Sequence, residues 1–172
     1  ATDAAMAMML ALTVVEPQSS GIGGGGFLVH HQASTGLIDT IDGRETAPAA
    51  ATPTRFVGAD GAPLSFIDAW PGGYSVGVPG NVSLMAKAHA KWGKLPWADL
   101  FGPAIKLAED GYDVTPRLFN SLTSVQKIHA DFPEVQKLYW KDGAPVPVGT
   151  HIRNPALAAI LKDVAAKGPE AF

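Results

Sequence analysis

The chain has 172 residues, 47% of them hydrophobic and 17% charged, with a net charge of −3. That length is enough for one domain with a proper core, and the charged share is low beside the roughly 25% of an ordinary soluble domain, so part of the surface is expected to be covered by another segment. No Lys/Arg block breaks the even spread of charge, which leaves nothing to attract a nucleic-acid backbone or an anionic membrane, and the absence of cysteine removes disulfides, thiolate nucleophiles and zinc–thiolate sites.

The apolar run over residues 4–15 lies between Asp3 and Glu16. It is too short for a membrane span of about 20 residues, and it lacks the basic stretch that precedes the apolar part of a signal peptide. It predicts a helix over 3–15, with Thr2 as the cap and Asp3 at the positive end of the dipole. Because the chain opens on Ala1 without a methionine, it is expected to be a piece of a longer protein.

The next stretch, "GIGGGGF", formally satisfies the dinucleotide pattern G-x-G-x-x-G. That fingerprint needs a strand before the glycines and a helix after them, because the helix N-terminus binds the pyrophosphate. Here the order is reversed, with a helix before and a strand-like run after. The glycines of 23–26 therefore read as a tight turn using positive φ, placed where a neighbour approaches too closely for a Cβ.

"FLVHH" and "LIDTID" are short β-like runs joined by "QASTG", a hairpin composition. "GRETAPAAATPTRF" has too many prolines for a helix or central strand and reads as an ordered loop. From Asn81 onward the signals are helical. Asn81 is expected to cap 82–91, a helix over 97–110 should stop at Gly111, and Thr115-Pro116 and Asn154-Pro155 each pair a cap with a first-turn proline. Lys167-Gly168 closes the last helix, and "KDGAPVPVG" reads as a turn and an extended run.

"GYSVG" fits the G-x-S-x-G elbow, but Pro79 and Gly80 delay the helix that must follow a nucleophilic serine at once, so Ser75 is not expected to be one. Adjacent His30 and His31 point to opposite strand faces and cannot share a metal. These two and the isolated His89, His129 and His151 read as structural or solvent-facing, and no metal or cofactor site is expected. Arg44, between Asp42 and Glu45 after the second strand-like run, has the fork geometry for bidentate capture of a carboxylate. An arginine between two acids is also a common structural ion pair.

The succession "DAAMAMMLALTVVEPQSSGIGGGGFLV", "IDGRETAPAAATPTRF", "SVGVPG", "LFGPAIKLAEDGYDVT" and "GPEAF" resembles the large subunit of the γ-glutamyltransferases, in order and over nearly the whole chain. The resemblance implies an α/β fold of the N-terminal-nucleophile hydrolase type, an α/β/β/α sandwich, with residues 1–172 as one large-subunit segment of a longer precursor that cleaves itself. It implies a catalytic small subunit as partner, whose N-terminal threonine attacks a γ-glutamyl amide such as that of glutathione, and a periplasmic or secreted location. The family's "REXAP" arginine, which holds the donor's α-carboxylate, matches Arg44, and Glu45, expected to orient it, matches as well. Relatives of this pattern include cephalosporin acylases acting on a glutaryl side chain, and a non-catalytic homologue is a third reading.

Overall fold

Helix α1 covers Thr2–Val15 and buries Met6, Leu10 and Val14, a stripe repeating every fourth residue. Burying side chains of this size contributes about 1.5–3 kcal/mol each. The structure, a computed structural model, describes residues 1–129 and 131–172. Thr2 is not the cap expected of it: it lies buried inside the first turn, and Ala1 occupies the cap position without a side-chain bond. Asp3 instead accepts from the backbone N–H groups of Lys94, at 3.0 Å, and Leu95, at 3.2 Å. A long-range contact has taken over the Asp3 carboxylate.

After α2 (Pro17–Ser20) and the glycine loop come β1 (Gly26–Gln32) and β2 (Leu37–Gly43). They form the expected antiparallel hairpin, with Leu28 opposite Ile41, and Gly36 in the turn has a φ of +72°. One face, carrying Leu28 and Ile41, joins the core beneath helix packing. The other exposes Phe27, Val29 and Ile38 at 67–71%. The strand after the glycines is therefore a core strand on one side only.

The proline-rich segment that follows is an ordered loop, as its composition requires, carrying α3 (Phe66–Ala69) and a 3₁₀ turn at Gly73–Ser75. Helix α4 (Asn81–Trp92) packs Leu84 and Met85 against the hairpin. The helix expected over 97–110 is divided into a 3₁₀ turn, Trp97–Phe101, and α5, Gly102–Asp110. Pro103 in the first turn of α5 has no N–H to donate backward, so one continuous α ladder cannot run through it. Ala104 and Ala108 on α5 are fully buried, and their small size lets α1 and α9 (Pro155–Lys167) pack on either side.

Between α5 and α9 lie β3 (Tyr112–Asp113), α6 (Pro116–Ser124), α7 (Gln126–His129), α8 (Pro133–Tyr139), β4 (Trp140–Lys141), β5 (Ala144–Pro145) and β6 (His151–Ile152). Thr115 and Asn154 cap as expected, accepting from the N–H of Leu118 at 3.1 Å and of Leu157 at 3.0 Å. The β4–β5 turn puts Asp142 and Gly143 at φ +53° and +79°, the twist a two-residue hairpin favours. Val114, Leu118, Leu122, Val146 and Ile152 form a second, smaller core.

The β3–β6 pair brings His151 between two acceptors. Its Nδ1 lies 2.8 Å from the Asp113 carboxylate and its Nε2 2.8 Å from the Asp110 carbonyl oxygen. Only the imidazolium donates from both nitrogens, so the Asp113 bond first and the Asp110 bond second hold its pKa above the ordinary value of 6.5. A raised pKa stabilises the fold fully below the unfolded value and stops doing so as pH rises through the folded one. The Tm advantage of wild type over His151→Gln should therefore be largest near about pH 5.5 and shrink toward about pH 8; thermal melts across that range measure it, and a constant difference would show that the imidazolium contributes nothing.

Candidate functional site

The glycine loop ends against backbone. A Cβ on Gly25 would stand 2.5 Å from the Gly43 carbonyl oxygen, 2.7 Å from the Glu45 nitrogen and 2.8 Å from Glu45 Oε2. On Gly80, just before α4, it would stand 2.0 Å from the same Gly43 oxygen. The loop, the end of β2 and the start of α4 therefore meet with no side chain between them. The Gly24 carbonyl accepts from the N–H groups of Gly80 and Asn81 at 3.0 and 3.1 Å, and Asn81 Nδ2 donates to the Gly21 carbonyl at 3.2 Å.

Two expectations change here. None of Gly23 to Gly26 has positive φ; the positive values fall elsewhere, at Gly36, Gly111 and Gly168 among others. Close approach alone excludes a side chain at Gly25. Asn81 lies inside α4 with Gly80 at the cap position, because its buried amide is committed to the loop. The helix amides that face the glycines are already bonded to Gly24, and β1 follows the loop, so the geometry is not that of a dinucleotide cradle.

Glu45 and Arg44 follow directly from this junction. The Arg44 N–H donates to Asp42 Oδ1 at 2.8 Å, closing the turn out of β2. Arg44 Nε lies 3.5 Å from Glu45 Oε2, and the Arg44 side chain is 70% exposed. Thr46 and Val78 then form an antiparallel bridge, with the Val78 N–H donating to the Thr46 carbonyl at 2.8 Å. This bridge holds the residues after Arg44 beside the loop before α4, and between them opens a cavity of about 520 Å³, within the usual range for small-molecule sites. Arg44, Glu45, Arg55, Phe56, Tyr74 and Ser75 are among its lining residues.

Ser75 lines that cavity without a base: its Oγ donates to the carbonyl oxygens of Trp70 and, at 3.0 Å, Gly72. His30 stacks flat on Trp92 at 4.2 Å between ring centroids, and His89 Nε2 lies 2.8 Å from the Leu95 carbonyl oxygen. The His129 side chain lies outside the described residues. Among the described residues no group of three His, Cys, Asp or Glu is placed to hold a metal ion, and no helix is long and apolar enough to cross a membrane.

The gamma-glutamyltranspeptidase family model matches residues 1–172. The chain belongs to that family. It is 37% identical over its whole length to glutathione hydrolase 3 of Arabidopsis thaliana, covering 26% of that protein. It is 36% identical to the glutathione hydrolase proenzyme of Bacillus subtilis strain 168, covering 29%. The crystal structure of Helicobacter pylori gamma-glutamyltranspeptidase superposes on all of it with a TM-score of 0.93 at 34% identity, and 49% of that chain is covered. The fold is thus that of the N-terminal-nucleophile hydrolases, and this segment, spanning well under two thirds of each relative, supplies the β1–β2 hairpin, two shorter strand pairs and the helices around them among its described residues.

Two cavity residues gave no signal in the sequence. Arg55 is tied to Tyr74, 19 residues away, by a bond from Nε to the Tyr74 carbonyl at 2.6 Å, and no local pattern announces such a pair. Gly25 and Gly23 test the packing reading against each other. Gly25→Ala should cost about 1–3 kcal/mol through overpacking, whereas Gly23→Ala, with nothing within 4 Å of its Cβ, should stay within about 0.5 kcal/mol. Denaturant melts of both variants decide it, and equal stabilities would mean that the loop tolerates a side chain at the junction.

Proposed function

We propose that this chain is the large-subunit segment of a self-processed γ-glutamyltransferase or glutathione hydrolase acting on glutathione and related γ-glutamyl compounds. The observation that carries the reading is the placement of Arg44, the residue matching the family's "REXAP" arginine, at the edge of the cavity. Its exposed fork suits a bidentate grip on the α-carboxylate of the donor. Glu45, beside Gly25 and 3.5 Å from Arg44 Nε, orients that fork.

The reaction needs a partner. In this reading the small subunit of the same precursor brings an N-terminal threonine whose hydroxyl attacks the γ-carbonyl, with its own amine as base; a γ-glutamyl-enzyme forms as the amine leaves, and water or an amino acid then takes the acyl group. That relatives about three times as long as this chain are named proenzymes supports cleavage of a precursor. The exposed face carrying Phe27, Val29 and Ile38 is where the rest of the fold would pack in this reading, which also implies a periplasmic or secreted location. On this reading residues 1–172 alone show no γ-glutamyl hydrolysis, and turnover by that purified fragment would refute it.

A matched pair of substrates tests Arg44. The mature protein is given a γ-glutamyl amide and the corresponding 4-aminobutyryl amide, which keeps the amino group and lacks the α-carboxylate, with the glutaryl amide, which lacks the amino group alone, as a third substrate. Arg44→Lys and Arg44→Ala should lose about 1.5–3 kcal/mol of a charge-assisted bond, or roughly 10- to 150-fold in kcat/KM, on the γ-glutamyl substrate and little on the 4-aminobutyryl one. Equal losses would make Arg44 structural, and a wild-type preference for the glutaryl amide would favour a cephalosporin-acylase activity instead.

A further inference from the structure

The cavity beside Arg44 contains a second cation that the reading above does not use. Arg55 is half-buried, and among the described residues no carboxylate lies within 4.0 Å of it, whereas Arg44 has Glu45 and Arg117 has Glu16. Its orientation is fixed from two sides. Nε donates to the Tyr74 carbonyl at 2.6 Å, and the guanidinium carbon stands 5.1 Å from the centroid of the Tyr74 ring, within the range of a cation–π contact. The terminal amino groups make no hydrogen bond among the described residues. Much of the entropy that an arginine loses on gripping a ligand has therefore been lost already in folding.

A guanidinium held in this orientation with its free edge on the cavity is pre-organised to receive an anion. With Arg44 paired to Glu45, the cavity has one more cation than anion among Arg44, Glu45 and Arg55. Both arginines line the same 520 Å³ space. A ligand gripped at one end by Arg44 thus meets a second positive group, and the ligand chemistry this selects is a molecule with a carboxylate at each of two ends.

We infer that Arg55 binds a second carboxylate of the donor, the one carried by the amino acid on the leaving side of the γ-glutamyl bond. The inference rests on the γ-glutamyl reading and deepens it: the preferred donors are γ-glutamyl peptides ending in a free carboxylate near the scissile amide, rather than neutral γ-glutamyl amides. Arg55 is a specificity residue in this scheme. It makes or breaks no bond.

The test uses the full-length processed protein and two donors, γ-glutamylglycine and γ-glutamylglycinamide, hydrolysed without added acceptor so that only the donor's own carboxylate is read. Wild type should prefer the acid. Arg55→Met should lower kcat/KM on γ-glutamylglycine about 10- to 100-fold and leave the glycinamide within about twofold, and Arg55→Lys should recover part of the preference. Added salt should erode the preference in wild type and not in Arg55→Met. Equal losses on both donors would make Arg55 a brace for the Tyr74 loop and overturn the inference, as would an unchanged preference. If wild type hydrolyses neither donor, the γ-glutamyl reading fails by itself, and calorimetric Kd values for the same two compounds take over: acid-over-amide discrimination that Arg55→Met abolishes keeps the second-carboxylate site, and its absence overturns it.

Discussion

Everything near the cavity depends on three stretches of backbone touching without side chains between them. Gly25, the end of β2 at Gly43 and Gly80 before α4 come so close that a single Cβ would lie 2.0–2.5 Å from a carbonyl oxygen, a separation that real contacts do not reach. The junction is closed by hydrogen bonds from Gly80 and Asn81 to the Gly24 carbonyl. Such a contact has little tolerance, because backbone cannot move aside as a flexible side chain does. It fixes where β2 ends, and so where Arg44 and Glu45 begin.

From that point the site is built by consequence. The turn closed by Asp42 directs Arg44 outward, and the Thr46–Val78 bridge draws a second loop alongside. The cavity is the space left between them. It collects two guanidinium groups with different surroundings, one beside a carboxylate and one against a tyrosine ring and a carbonyl. Their geometries suit different tasks, since the first is exposed beside a single carboxylate while the second is held from two sides.

Away from the cavity the helices do the ordinary work of a core. Small residues on α5, Ala104 and Ala108, allow α1 and α9 to pack on it, and the stripe of Met6, Leu10 and Val14 fills the space between α1 and its neighbours. The hairpin joins this core with one face only. Its other face, with Phe27, Val29 and Ile38 exposed, accounts in part for the low charged fraction of the chain, because apolar side chains stand where a solvated sheet would alternate with polar ones.

The sequence by itself determined the features whose chemistry is local. The hairpin, the caps at Thr115 and Asn154, the stops at Gly111 and Gly168 and the loop between Arg44 and α4 all follow from groups within a few residues of one another, and Arg44 and Glu45 could be singled out as candidates because their motif is contiguous. Tertiary structure decided the rest. Thr2 and Asn81 have good capping side chains, yet burial placed one inside its helix and a bond to Gly21 claimed the other. Asp3 serves the backbone of Lys94, 91 residues away. The glycines were read as needing positive φ, and what they supply is room, a property that depends on which other segment arrives. Arg55 met Tyr74 only through folding. Capping and turn formation are decided over one helical turn of chain, whereas close packing and the neutralisation of charge depend on neighbours that composition and spacing do not specify.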